Sequence, residues 1–318
     1  MIKDFLRLIR WENLLFAAAV IWLMEKMVAV PLLVKAGFCE QLPGWMLYLL
    51  MLSVVFIAAG GYIINDYFDV KIDTINRPER LIVTRSFTKQ QAMLFHQVFT
   101  GIGVVIGIIV SVFAHSWALG IIFVLVPGLL WFYSSSYKRQ FIVGNLIVAI
   151  VAALVPLIVA VANGDYIRHL HGDDNIPYLY CASNIYIWIG VFALFDFLTT
   201  FIREVLKDLQ DQNGDRELEC HTLPIKIGEL WTKIVLTCLI ILVAGGAAYI
   251  VFYTLPFPHN WGSISVRYWL FGLAIPFLCE LYLLWSAKLP SDYRFAQGLM
   301  KFIMLIGVLF SIVIKTQL

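Results

Sequence analysis

Two stretches of this sequence carry carboxylates at the same spacing. NDYFDVKID (65–73) holds Asp66, Asp69 and Asp73, and KDLQDQNGD (207–215) holds Asp208, Asp211 and Asp215. On a helix, the i, i+3, i+7 pattern places all three acids of a set on one face. Like charges so arranged repel, and the arrangement calls for cations to meet them. Six hard oxygen donors suit Mg2+, which takes one or two carboxylates, keeps several waters and draws its other ligands from substrate phosphates. Arg77 and Arg80 follow the first set, while Arg203 and Lys207 precede the second. Basic groups so placed suit an anion such as diphosphate. The chemistry these residues describe is the binding of a divalent cation together with a phosphate-bearing anion.

The elements that must position these acids are membrane helices. The chain has 318 residues, is 61% hydrophobic and only 14% charged, and has a mean hydropathy of +0.85. A soluble domain carries roughly a quarter charged residues. A spanning helix needs about 20 mainly apolar residues. Nine segments qualify: 13–33, interrupted by Glu25 and Lys26, then 45–65, 91–113, 116–134, 142–162, 183–204, 232–253, 267–286 and 296–314. The expected fold is an all-α polytopic membrane protein, one domain over 1–318. The two acidic sets are 142 residues apart at every position and each ends an even-numbered span. That predicts two similar four-helix halves, about 1–140 and 141–290, plus a ninth helix. The cysteines form no C-x-x-C pair, so neither a zinc site nor a disulfide framework is expected.

Charge asymmetry orients the spans. Lys3, Arg7, Arg10, Lys71, Arg77, Arg80, Arg85, Lys89, Lys138, Arg139, Arg203, Lys207, Arg216, Lys226, Lys233, Lys288 and Arg294 fall on one side. The other side holds Lys35, Arg168, Arg267 and Lys315, with Lys26 if the first span is short. The positive-inside rule makes the first side cytoplasmic, with the N-terminus inside and the C-terminus outside. Both acidic sets then face the cytoplasm. Two readings compete with a metal-diphosphate site. The acids could be solvated helix ends, but two sets of identical spacing at equivalent positions argue against this. A cation-coupled transporter also uses membrane carboxylates, but these lie at helix ends beside basic residues that oppose cation passage.

The motifs resemble those of the UbiA-type intramembrane prenyltransferases. NDYFDVKIDTINRP is similar to that family's first signature and REVLKDLQDQNGD to its second; RWEN (10–13), YSSSYK (133–138) and GN (144–145) extend the likeness over most of the chain. The resemblance implies nine helices around a central cavity and Mg2+-dependent transfer of an isoprenyl group from a polyprenyl diphosphate to a lipid-soluble acceptor. It implies that Asn65, Asp66, Asp69, Asp73, Asp208, Asp211 and Asp215 hold the metal. Arg77, Arg203 and Lys207 would contact diphosphate, Tyr133 and Lys138 would lie near it, and Asn13 and Asn145 would line the cavity. Asp69, Asp211, Arg203, Lys207, Tyr133 and Lys138 are the expected catalytic set. The implied surroundings are the lipid of a cell inner membrane, with the site facing the cytoplasm and no nucleic acid as partner.

Physical reasoning agrees with the implied reaction. Departing diphosphate needs preorganised cations, and an allylic cation needs a dry site. Two acceptors remain open. REVLKDLQDQNGDRELECHTLPI most resembles the subgroup that prenylates geranylgeranylglyceryl phosphate, whereas NRPERLIVTRSFT departs from the common pattern, with Leu81, Val83 and Arg85 in place of prolines and glycine. An aromatic quinone precursor, of the 4-hydroxybenzoate or dihydroxynaphthoate type, is the alternative. The orientation is testable on its own. A reporter fused after Lys138 should be cytoplasmic and one at Gly172 external; both on one side would overturn the nine-span topology.

Overall fold

The structure is a computed structural model that describes residues 1–76, 81–172, 176–217, 219–254 and 263–316. Among these the chain is helical, and the only β-type pairing is an isolated bridge between Val83 and Phe87. Helix α1 (Ile2–Leu8) is followed by α2 (Trp11–Leu23), which passes through a π-helical stretch, Met24–Ala29, into α3 (Val30–Lys35). Next come α4 (Gly44–Asn76), α5 (Lys89–Phe113), α6 (Trp117–Ser135), α7 (Val143–His171) and α8 (Ile176–Glu217). The chain continues through α9 (Leu223–Ile227), α10 (Glu229–Tyr249), α11 (Ile264–Tyr268), α12 (Ile275–Ser286) and α13 (Pro290–Lys315). Nine segments among the described residues are long and apolar enough to cross a membrane, as the sequence predicts. The protein is an integral, multi-pass membrane protein.

Both spans that carry acidic motifs are longer than predicted, as is α7, which runs nine residues past 162 to His171. The apolar segments 45–65 and 183–204 do not end where their charges begin: α4 runs to Asn76 and α8 to Glu217. Backbone hydrogen bonding continues through charged side chains, and no proline interrupts either helix before its end. Pro78 lies just beyond α4, and the residue before a proline disfavours helix. Each motif is thus a continuation of a membrane helix, which holds it rigidly. Local signals set the other boundaries. Thr88 and Gln91 form a reciprocal capping box that starts α5, at 3.2 and 2.9 Å. The Ser116 hydroxyl accepts the Leu119 N–H at 3.2 Å to start α6. Gly228, at φ +83°, separates α9 from α10.

The chain divides into two compact units. One comprises Met1–Lys138 with Leu154–Gly190, the other Arg139–Ala153 with Val191–Leu318. In the first, Leu8, Ile9, Leu14, Ala59, Ile63, Val83, Phe87 and Ala92 form a buried cluster that ties α1 and α2 to α4 and α5. In the second, Ile202, Val205, Leu206 and Leu209 of α8 pack with Leu236 and Ile240 of α10, Phe277 and Leu284 of α12, and Met300 and Ile303 of α13. The motif-bearing ends of α4 and α8 are therefore each anchored in an apolar cluster of their own unit.

Lipid tails are as apolar as leucine, so membrane helices associate through close packing and hydrogen bonds rather than hydrophobic burial. Helices α4 and α5 do both. The Ser53 hydroxyl donates to Gly103 O at 2.7 Å. A β-carbon on Gly103 would lie 2.9 Å from Ile57 N and 3.0 Å from Ser53 O, both backbone atoms that cannot move aside independently. In the same GIGVVIG run, Gly107 admits the Phe123 ring of α6. By contrast, Gly245 and Gly246 of AGGAA meet nothing within 4 Å among the described residues. Gly103→Leu should therefore part α4 from α5 and cost about 1–3 kcal/mol of stability. Gly101→Ala, in open space, should be neutral. Thermal unfolding in detergent measures both; equal melting of wild type and Gly103→Leu would refute the close packing.

Candidate active site

In the first unit, α4 presents the first motif to two cations. The Arg10 guanidinium donates to Asp66 Oδ1 at 2.9 Å and lies 4.7 Å from the centroid of the Tyr62 ring. Arg10 occupies the junction between α1 and α2 in the left-handed region, at φ +51°. For a non-glycine residue this conformation costs about 1–3 kcal/mol, and it persists where surrounding contacts dictate it. Asp69 is buried and accepts two donors on one oxygen: Asn65 Nδ2 at 2.7 Å and the Lys138 ammonium. Asn13 Nδ2 donates to the Tyr62 hydroxyl at 3.2 Å, beside the Arg10 guanidinium.

Both cations keep their charge. Burial alone would push the Lys138 ammonium down, but Asp69, Tyr133 and Asp73 together hold it well above the usual lysine range. Arg10 behaves likewise: burial opposes its charge, and Asp66, Tyr62 and Asp69 more than restore it. Arg10 and Lys138 are thus fixed positive charges on a row of carboxylates, with Tyr133 buried beside them.

In the second unit, α8 carries the second motif. Asn145, near the start of α7, donates to Asp208 Oδ2 at 2.8 Å. Asp215 is buried, accepts the Thr222 hydroxyl at 3.1 Å through a side-chain oxygen, and accepts the Cys220 N–H at 2.8 Å through its carbonyl. These two bonds fold the segment after α8 back onto its last turn. Arg203 and Lys207 both pair with Glu204: Arg203 Nη2 at 2.7 Å and Lys207 Nζ at 3.6 Å.

The predicted residues thus form two sets, each within its own unit. Asn13, Asn65, Asp66, Asp69, Asp73, Tyr133 and Lys138 belong to the first; Asn145, Arg203, Lys207, Asp208, Asp211 and Asp215 belong to the second. Arg77 and Arg80 lie outside the described residues. Sequence reasoning missed Arg10, Glu204 and Thr222. RWEN brings Arg10 to notice as a resemblance, but its pairing with Asp66 spans 56 residues and leaves no local trace. Glu204 stands between the two predicted diphosphate contacts and is visible in REVLK only once its neighbours are known to converge on it. The side chains that could bind a metal are the six aspartates and Asn65. Among the described residues no three His, Cys, Asp or Glu side chains gather tightly enough to hold an ion by themselves.

Comparison with known proteins identifies the family. Residues 27–306 match the UbiA prenyltransferase family. A digeranylgeranylglyceryl phosphate synthase from Sulfolobus acidocaldarius is 31% identical over 254 residues, covering 80% of this chain and 80% of that relative. A solved structure from work on digeranylgeranylglyceryl phosphate synthase in membranes superposes with a TM-score of 0.63 at 23% identity, covering 100% of this chain and 99% of the other. A UbiA homologue from Archaeoglobus fulgidus bound to DMAPP and Mg2+ superposes with a TM-score of 0.55 at 16% identity, covering 99% and 100%. At these identities the structural matches speak for the fold. The sequence matches decide the class of protein, and they set aside the transporter reading. The chain belongs to the UbiA prenyltransferase family and is an enzyme of the prenyltransferase class.

Proposed function

We propose that this enzyme transfers an isoprenyl group from a polyprenyl diphosphate to a lipid-soluble alcohol in a Mg2+-dependent reaction, with geranylgeranylglyceryl phosphate as the acceptor. One observation carries the reading. At the end of a membrane span, buried Asp69 is held between Asn65 and Lys138, and Asp66 is held by Arg10. A row of carboxylates with fixed cations beside it is suited to a metal-bound diphosphate and has no role in a purely apolar bundle. The acceptor rests on the second motif and on the relative from Sulfolobus acidocaldarius, which bears the name of a digeranylgeranylglyceryl phosphate synthase.

The donor set fits Mg2+ arriving with its substrate. An ion that takes one or two carboxylates and fills its shell with phosphate oxygen and water needs no three-acid cage. Asn65, Asp66, Asp69, Asp73, Asp208, Asp211 and Asp215 are the residues that would hold it. Bound there, the metal neutralises charge on the departing diphosphate. The protein's own groups do the rest. Lys138 and Arg10 keep the first motif in place and supply preorganised positive charge. Glu204 orients Arg203 and Lys207, whose remaining donors bind diphosphate oxygens, as would Arg77. Asn13 and Asn145 position their neighbours through Tyr62 and Asp208. The Lys and Arg asymmetry supports a site on the cytoplasmic side of the inner membrane.

Labelled geranylgeranyl diphosphate with Mg2+ and a panel of acceptors tests the reading. Product should form with the glycerol phosphate ether; product only with 4-hydroxybenzoate or a naphthoate would overturn the acceptor. Asp69→Asn and Asp211→Asn should each lower turnover by about 100-fold or more. The double variant should be little worse, because residues acting as one unit are not additive. Stability separates the sites. Asp69→Asn leaves Lys138, only 21% exposed, without its counter-charge. This costs up to about 3 kcal/mol, the lower end for a broken buried pair. Adding Lys138→Met should restore melting but not activity. Near-normal transfer by Asp211→Asn would make the second motif a solvated helix end.

A further inference from the structure

Helix α8 carries more polar side chains than the second motif uses. Moving from the motif into the membrane, it presents Lys207, Arg203, Thr200 and Asp196. At about 100° per residue these lie on the same side of the helix as Asp211. At about 1.5 Å rise per residue, Asp196 is about 10 Å deeper than Arg203. Asp196 and Thr200 are nine-tenths or more buried, at 6% and 2% exposure. A carboxylate buried on a membrane span marks a functional position unless it is paired structurally. The Arg203 charge and the Thr200 hydroxyl, both of its own helix, act on Asp196.

One donor on this stripe has nothing to bind, and a second meets only Asp196. Arg203 Nε is buried without a hydrogen-bond partner, and the buried Thr200 hydroxyl faces the Asp196 carboxylate without a hydrogen bond of good geometry. Leaving a buried donor unpaired is costly. The neighbouring Thr199 is different: its hydroxyl donates to Phe195 O at 2.7 Å and is satisfied within the helix. An orphaned Arg203 donor and a buried Thr200–Asp196 pair, spaced over two turns, describe a place for ligand oxygens rather than for a hydrocarbon tail.

We propose that Asp196 and Thr200 form the subsite for the acceptor hydroxyl, an inference that rests on the prenyl-transfer reading above. The order along α8 matches the order of atoms in the reaction. Arg203 Nε–H binds an oxygen of the leaving diphosphate, Thr200 O–H binds the acceptor oxygen, and Asp196 takes the acceptor proton. The bond between C1 of the prenyl chain and the diphosphate oxygen breaks, and its electron pair leaves with diphosphate. A lone pair of the acceptor hydroxyl oxygen forms the new bond to C1. The hydroxyl proton passes to the Asp196 carboxylate and from there to solvent once product departs. Asp196 is thereby a general base and Thr200 a positioning donor.

The test compares hydroxyl and thiol forms of the glycerol phosphate ether acceptor, alongside binding of a prenyl thiolodiphosphate with Mg2+. Wild-type product from the hydroxyl acceptor tests the functional reading separately; if another acceptor proves to be the substrate, the same comparison is run with its hydroxyl and thiol forms. Asp196→Asn should bind the thiolodiphosphate like wild type and lose about 100-fold or more of transfer to the hydroxyl. It should recover most of that loss with the thiol, which ionises near pH 8.5 without a base. Thr200→Val should raise KM for the acceptor with little change in thiolodiphosphate affinity. Equal losses with hydroxyl and thiol, loss of thiolodiphosphate binding, or wild-type transfer by Asp196→Asn would overturn the base role. Unchanged acceptor KM in Thr200→Val would remove the subsite.

Discussion

The structure depends on how carboxylates are held where water is scarce. Transferring an unpaired carboxylate out of water is prohibitive, and a partner with further hydrogen bonds offsets the cost. Asp69 illustrates the solution: Lys138 supplies the charge and Asn65, one turn earlier on the same helix, supplies the second donor. Asp66 has Arg10, and Asp208 has the neutral donor Asn145. In the first motif Asp66 and Asp69 pair with cations; in the second, Asp208 and Asp215 accept amide and hydroxyl donors, and Arg203 and Lys207 pair with Glu204.

Rigid helices make this balance useful. Because α4 and α8 continue through their motifs, each acid has a fixed height and face. The backbone approach at Gly103 and the apolar cluster of α8, α10, α12 and α13 hold those helices in place. Preorganised charge is what a departing diphosphate needs, since dipoles that must reorient during the reaction stabilise it less.

Much of this was legible in the sequence. Hydropathy located every span, because a bilayer admits only long apolar helices. The i, i+3, i+7 spacing placed the three acids of each motif on one helix face, because helical geometry is strict. Span ends were misjudged at Asp66 and Val205, where hydropathy and helix formation part company. Arg10 escaped notice because a pairing 56 residues away decides its role, and Glu204 because its neighbours Arg203 and Lys207 were assigned to an anion rather than to it. The charge on Lys138 was visible, but its capture by Asp69, 69 residues away, was not.

The central claim is that the paired acidic motifs bind prenyl diphosphate through a divalent cation. Calorimetric titration of the purified protein with a prenyl thiolodiphosphate, in Mg2+ and in excess chelator, tests it most directly. The account requires binding in Mg2+, its loss in chelator, and its recovery when Mg2+ is restored. Equal affinity in both conditions would show that the basic residues alone hold the diphosphate and would contradict the account.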